Sequence, residues 1–151
     1  MSVNDEFMEL LHQIIAKGSV SIVEDDSKIF DIINENYEFI GSKIDWSRTR
    51  NHWSEKYNFS KEGINLKDKY KNILKSLINN NFNEIIKNEN GIYYISDYSL
   101  SYGLEIEKSS FFDILKIIIS NIPQHHYFTN PNGSWCLAIT MEGYIDFGYS
   151  T

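Results

Sequence analysis

The stretch HHYFTNPNGSWCLAITMEGYIDFG, residues 125–148, constrains the fold of this chain more than any other part of it. Apolar and polar residues alternate along it, which is typical of β-strands that are buried on one side. The run NPNG at residues 130–133 favours a tight turn, because proline fixes φ at the second position and glycine accepts positive φ. We therefore predict a hairpin of residues 125–129 and 134–140.

A second turn follows, and its length decides which side chains share a face. A two-residue loop of Glu142 and Gly143 pairs Met141 with Tyr144, whereas a three-residue loop from Met141 pairs Thr140 with Tyr144. A slip of one residue moves every side chain to the other face. The three-residue loop alone gives a uniformly apolar face: Phe128, Trp135, Leu137, Ile139, Ile145, Phe147 and Tyr149. We predict this loop and a three-stranded antiparallel meander.

The opposite face of the predicted meander is mixed in character. It carries small, aromatic and acidic side chains: Tyr127, Cys136, Ala138, Thr140, Tyr144 and Asp146. Such a surface is suited to binding, and the apolar face is suited to packing on a helix.

Apolar residues recur at spacings of three and four in the rest of the chain, which is typical of amphipathic helices. We predict helices at residues 3–16, 26–40, 66–78 and 110–122. Gly41 is expected to end the second of these helices, and Pro123 the last. Asp26 or Ser27 is the expected cap of the second helix, and Asn65 of the third.

The remaining segments are predicted as follows. Residues 19–23 form a short strand, and residues 42–64 form a long ordered loop because they show no period. Residues 83–96 are either two short strands around a turn or the end of a helix followed by one strand. The whole chain, residues 1–151, is predicted to be a single α+β domain with several helices packed on a C-terminal antiparallel sheet, either this meander or a larger one.

Charge and apolar content limit the classes of partner. The net charge of −7 repels phosphate backbones and anionic membranes and attracts basic proteins. The longest apolar block, residues 111–122, is shorter than the roughly 20 residues of a membrane-spanning helix. The start of the chain lacks the pattern of a signal peptide. We therefore expect a cytoplasmic protein that binds neither membrane nor nucleic acid.

Catalytic and metal chemistry have weak candidates. His125 and His126 are neighbours in a strand and point to opposite faces, so they do not form a shared metal site. His126 is expected to be a hydrogen-bonded core histidine. A thiol hydrolase that uses Cys136 with His125 and Asp146 is an alternative, but no helix N-terminus or glycine-rich turn activates this thiol. We expect no enzyme activity, no metal and no cofactor.

Residues 45–75 suggest a second alternative. Trp46, Trp53 and Tyr57 are interleaved there with basic side chains, and the lysines of the helix at residues 66–78 extend the pattern. Aromatic and basic side chains in this arrangement are typical of surfaces that stack single-stranded nucleic acid. The negative net charge opposes that function.

The C-terminal run carries a motif of the form W-C-L-x-x-T-M-E-G followed by D-F-G. Its positions are Trp135, Cys136, Leu137, Thr140, Met141, Glu142, Gly143, Asp146, Phe147 and Gly148. Over about the last 60 residues, the chain resembles small bacterial immunity proteins of contact-dependent growth inhibition and related polymorphic toxin systems. The resemblance implies tight binding to a cognate toxin domain, which would be neutralised without any reaction.

An acidic inhibitor is suited to a basic nuclease toxin, because complementary charge raises the association rate and selects the partner. Exposed aromatic side chains beside carboxylates are the expected anchors of such an interface. We predict partner-binding residues on the mixed face of the meander, in the turn that follows it, and in an acidic loop near the N-terminus. They are Tyr127, Tyr144, Asp146, Glu142, Glu24, Asp25 and Asp26.

Overall fold

The computed structural model describes residues 9–12, 15, 19–57, 66–96, 102–121, 125–140 and 142–151, with the backbone alone at residues 66–68. These residues form an α+β fold, as predicted, and residues 9–12 are helical. The other α-helices are α1 (Ser27–Asn36), α2 (Leu66–Asn79), α3 (Phe82–Lys87) and α4 (Phe111–Asn121). The strands are β1 (Val20–Val23), β2 (Phe39–Ile40), β3 (Lys43–Ile44), β4 (Arg50–Lys56), β5 (Ile92–Ser96), β6 (Gly103–Ile106), β7 (His126–Thr129), β8 (Trp135–Ile139) and β9 (Tyr144–Tyr149).

Seven of these strands form one antiparallel sheet in the order β1-β6-β5-β7-β8-β9-β4. The predicted meander is its β7-β8-β9 portion, and the predicted strand at residues 19–23 is the edge strand β1. Strands β2 and β3 pair separately as a small hairpin. No helix in the described ranges combines the length and the apolar character needed to cross a bilayer.

Both turns of the meander have the predicted geometry. In the first, the Gly133 N–H donates to the Asn130 carbonyl at 3.0 Å, and Gly133 has φ of +72°. In the second, the Thr140 N–H donates to the Tyr144 carbonyl at 2.9 Å, and Gly143 has φ of +94°. The three-residue loop is therefore confirmed by its register, although Met141 itself lies outside the described residues.

The predicted apolar face of the meander carries the larger core. Trp135, Leu137 and Phe147 are buried there against α2, α3 and α4. The ring centroid of Phe82 on α3 lies 5.4 Å from that of Trp135 and 5.3 Å from that of Phe111 on α4. This face is closed, as the alternation of side chains predicted.

His126 is a buried histidine of this core, as predicted. Its Nδ1 is hydrogen-bonded to the Tyr94 hydroxyl at 2.9 Å. A paired imidazole avoids the free-energy cost of an unsatisfied buried polar group, which explains its place among apolar side chains.

Helix α1 covers much of the other face of the sheet. Ile29 and Ile33 are buried in a second core that also contains Tyr127 and Cys136. A Cβ atom at Gly103 would overlap the Ile29 Cδ1, so glycine allows α1 to approach β6 closely. The expectation that the mixed face is open for binding is therefore wrong beneath α1.

The predicted helix at residues 26–40 ends early. Helix α1 stops at Asn36, Tyr37 is extended with φ of −134°, and Phe39 to Ile44 form the β2–β3 hairpin. Gly41 has φ of +63° in the turn of this hairpin. A helix end and a hairpin turn both use a glycine with positive φ, so Gly41 alone did not distinguish them.

The loop predicted at residues 42–64 is wrong for its described part, which ends at Tyr57. It contains β3, a 3₁₀ turn at Trp46–Arg48, and β4. Strand β4 lies at the edge of the sheet, and its register shifts between Arg50 and Trp53 around Asn51, whose φ is +51°. Such a bulge disrupts the period of two, which explains why the sequence shows no alternation.

The remaining predictions for the central segments are resolved as follows. The helix at residues 66–78 is α2, and the apolar helix at residues 110–122 is α4. For residues 83–96 the helix-then-strand alternative is correct, as α3 and β5. The predicted cap Asn65 and most of the helix at residues 3–16 lie outside the described residues.

Candidate functional site

A small cleft remains open where the end of the meander meets the β2–β3 hairpin. Its volume is about 120 Å³. The lining residues come from β3, the 3₁₀ turn and the meander: Lys43, Ile44, Trp46, Tyr127, Ala138, Thr140, Tyr144 and Asp146. Three of the predicted partner-binding residues, Tyr127, Tyr144 and Asp146, are therefore brought together in this cleft.

Glu142 lies beside the cleft and links the meander turn to the hairpin. Its Oε1 is 3.1 Å from the Lys43 Nζ, and its Oε2 is 3.5 Å from the His125 Nδ1. Partial burial raises the pKa of Glu142, but backbone and Lys43 hydrogen bonds and the nearby positive charges bring it below its usual value overall. The side chains are largely exposed, so this pair orients the hairpin and contributes little to stability.

Asp146 is held by a histidine from the edge strand. Its Oδ1 lies 2.9 Å from the His52 Nε2, and the His52 ring stacks on Trp46 with centroids 5.4 Å apart. Trp53 is separated from this stack, because its ring packs on Phe147 on the other side of the sheet. Trp46 and Trp53, two of the aromatic residues on which the nucleic-acid alternative was based, therefore lie on opposite faces of the sheet.

The two predicted tyrosines differ in accessibility. Tyr144 is 44% exposed, and the Lys56 ammonium lies 5.9 Å from the centre of its ring. Tyr127 is only 7% exposed and belongs to the core beneath α1. Tyr144 can therefore be reached by a partner protein, whereas Tyr127 forms the floor of the cleft.

The predicted acidic loop lies away from this cleft. Glu24, Asp25 and Asp26 connect the edge strand β1 to the start of α1, whereas β9 lies near the opposite edge of the sheet. Asp25 accepts hydrogen bonds from the hydroxyl and the backbone N–H of Ser27, at 2.5 and 3.1 Å. These bonds lower the pKa of Asp25. Asp26, one of the two predicted caps, is the N-cap residue of α1, but its side chain makes no capping hydrogen bond, and the neighbouring Asp25 carboxylate binds the first N–H of the helix instead.

Further acidic residues connect the loop to the hairpin. Asp31 and Glu35 are exposed on α1, and Glu38 is exposed between α1 and β2. The sequence analysis did not select these residues, although two acids four positions apart on an amphipathic helix are a detectable signal. Together with the loop acids they give this side of the molecule an excess of negative charge, although Lys28 is also exposed on α1.

The β2–β3 hairpin adds exposed apolar side chains to this acidic side. Ile40 is 69% exposed and Phe39 is 37% exposed. Neither was predicted as a binding residue, because both fell within the predicted helix, and Ile40 was assigned to its apolar stripe. We call Phe39, Ile40, Tyr144 and the α1 carboxylates Asp31 and Glu35 the acidic-apolar surface.

Cys136 does not form the constellation that the hydrolase alternative requires. Its side chain is fully buried under α1, and burial raises the pKa of the thiol well above its usual value. His125 contacts Glu142, and Asp146 contacts His52, so these residues have separate partners. A nucleophilic thiol needs a lowered pKa and access to substrate, and Cys136 has neither.

The burial of Cys136 predicts low thiol reactivity. Because it is the sole cysteine of the chain, a thiol reagent such as 5,5′-dithiobis(2-nitrobenzoic acid) reports on it alone. We expect negligible labelling of the native protein over an hour and one equivalent of labelling in guanidinium chloride. Rapid labelling of the native protein would contradict the described packing and would favour the hydrolase alternative.

Metal ligands do not cluster in the ranges of the chain that the structure describes. No group of three or more His, Cys, Asp or Glu side chains within those ranges is placed to hold a metal ion. Among the described residues, the histidine–carboxylate contacts at the cleft are the two pairs His52–Asp146 and His125–Glu142.

Comparison with protein-family models finds no match to this chain, and comparison with curated protein sequences finds none either.

Proposed function

We propose that this protein is a non-enzymatic, cytoplasmic immunity protein that binds and neutralises a cognate bacterial toxin domain, most simply a basic nuclease. The observation that carries the proposal is the exposed Ile40 and Phe39 on a hairpin next to an acidic helix. Exposed apolar side chains that are rimmed by charged or polar groups, here carboxylates, are typical of protein-binding surfaces.

The energetics of such a complex follow from the two parts of the surface. Burial of Phe39, Ile40 and Tyr144 against the partner would supply most of the binding free energy, because a few large side chains dominate interfaces. The carboxylates Asp31 and Glu35 would attract a basic partner over a distance of about 10 Å and raise the association rate. Neutralisation then requires only that the bound protein covers the active site of the toxin.

The proposal is tested with the toxin domain encoded by the gene next to the one for this chain. We expect cells that express this domain to survive when the chain is co-expressed, and the purified pair to elute as a stoichiometric complex in size-exclusion chromatography. A neighbouring gene with no toxin domain, or a toxin domain that is neither bound nor neutralised, would refute the proposal.

Charge-reversal variants test whether the association rate depends on this surface or on the net charge of the whole molecule. We expect Asp31→Lys with Glu35→Lys to lower the association rate with the toxin domain by about tenfold at low salt and less at high salt. The matched control is Glu84→Lys with Asp113→Lys, which makes the same charge change on α3 and α4 in the opposite layer. Equal effects of both double variants would show that net charge, and not this surface, controls association.

A further inference from the structure

An apolar slot lies between α1 and the β2–β3 hairpin, next to the cleft described above. Its volume is about 250 Å³. Its described lining comes from α1, the hairpin and β7: Phe30, Ile33, Asn34, Phe39, Ser42 and Tyr127. None of these lining side chains is charged. We propose that the slot receives one aromatic or branched aliphatic side chain from a basic segment of the partner protein, an inference that rests on the proposed function.

The walls of the slot are held in place before any partner binds. On one side, α1 is fixed by the buried Ile33 and by the Tyr37 hydroxyl, which donates to the Gly133 carbonyl at 3.0 Å. On the other side, the Asp45 N–H donates to the Glu38 carbonyl at 2.8 Å and closes the base of the hairpin, and the buried Ile44 anchors the hairpin to the second core. A preformed pocket costs little ordering entropy on binding, so one inserted side chain can act as an anchor.

The charged side chains around the slot favour basic residues on either side of the inserted residue in the partner. Asn34 of the lining lies between Asp31 and Glu35 on α1, and Glu38 directly precedes Phe39. All three carboxylates are exposed, whereas the nearby Lys43 ammonium is paired with Glu142. An apolar side chain flanked by lysine or arginine therefore fits the slot better than one flanked by acidic residues.

Three capped tripeptide amides test the inference by nuclear magnetic resonance titration of the full chain: Arg-Trp-Arg, Glu-Trp-Glu and Arg-Gly-Arg. We expect Arg-Trp-Arg to shift the amide signals of Asn34, Phe39 and Tyr127 and to bind about fivefold more tightly than Glu-Trp-Glu. Arg-Gly-Arg should leave these signals unshifted, because it has no side chain to insert.

A pair of matched variants locates the binding. Ser42 lines the slot and Ser109 is exposed in the 3₁₀ turn before α4, so Ser42→Phe fills the slot while Ser109→Phe makes the same change elsewhere. We expect Ser42→Phe to weaken Arg-Trp-Arg binding by about tenfold or more and Ser109→Phe to leave it unchanged. Asn34→Phe, on the opposite wall, provides a second slot-filling variant should Ser42→Phe fail to fold.

Several results would overturn the inference. Equal shifts with Arg-Gly-Arg would show that only charge is recognised, and equal affinity for Glu-Trp-Glu would show that the slot does not select a basic segment. Shifts confined to other residues would place the binding elsewhere. The proposed function and the slot inference can be refuted separately. If Arg-Trp-Arg binds in the slot but the chain does not neutralise the toxin, only the immunity role is refuted. If Ser42→Phe leaves toxin binding unchanged, only the inserted side chain in the slot is refuted.

Discussion

Replacement of Phe82 by alanine is expected to lower the free energy of unfolding by about 4 kcal/mol. Phe82 is fully buried, and its ring contacts Trp135, Phe111 and Phe147 at centroid distances of 5.4, 5.3 and 5.9 Å. Removal of this ring leaves a cavity between α3, α4 and the meander, which cannot close without moving all three. Because small domains are stable by about 5–15 kcal/mol, the loss is a large fraction of the total.

Chemical denaturation monitored by tryptophan fluorescence and circular dichroism measures this effect. The matched control is Phe39→Ala, which removes the same ring from the hairpin surface and is expected to cost less than about 1 kcal/mol. Phe82→Leu keeps most of the volume and is expected to be intermediate, so it reports on the site even if Phe82→Ala does not fold. Similar losses for Phe39→Ala and Phe82→Ala would contradict the described core.

The double variant Phe39→Ser with Ile40→Ser is expected to weaken binding to the toxin domain encoded by the neighbouring gene by about 100-fold, or about 3 kcal/mol. Both side chains are exposed on the hairpin, so serine should remove apolar contact area from the interface with little change in stability. Most of the loss should appear as a faster dissociation rate, as is usual for variants of one interface.

Surface plasmon resonance measures the two rate constants, and thermal denaturation checks that the variant is folded. Ile78→Ser is the control, because Ile78 is 47% exposed on α2 in the opposite layer of the molecule. We expect this control to bind as tightly as the wild-type chain. An effect of Ile78→Ser equal to that of the hairpin variant, or no effect of either, would exclude the acidic-apolar surface as the interface.

The sequence predicts part of the arrangement of residues at the cleft. Glu142, Tyr144 and Asp146 lie at one end of the meander because the three-residue loop places them there, and that loop follows from local alternation. Their partners had no local signal: Lys43 is 99 positions from Glu142 and His52 is 94 positions from Asp146. Contacts between residues so far apart in the chain depend on how the helices and the sheet pack together. The periodic patterns of a single sequence report only on local structure, so they do not reveal such contacts.

The incorrect predictions of secondary structure share one cause. The strands of the β2–β3 hairpin have only two residues each, and the edge strand β4 is bulged and carries mainly polar side chains, so neither shows the period on which strand prediction depends. The well-predicted helices α2 and α4 have long, regular apolar stripes. Elements with a regular apolar pattern were therefore predicted, whereas the two-residue strands of the hairpin and the bulged strand β4 were not.

Local sequence is enough to predict the register of the meander, its two turns and the apolar face that packs on the helices. These features depend on alternation and on glycines with positive φ, which are properties of neighbouring residues. The tertiary structure alone decided that α1 covers Tyr127 and Cys136 and that Ile40 points to solvent. An apolar stripe predicts that a helix is buried but not against which surface, because hydrophobic burial is non-directional.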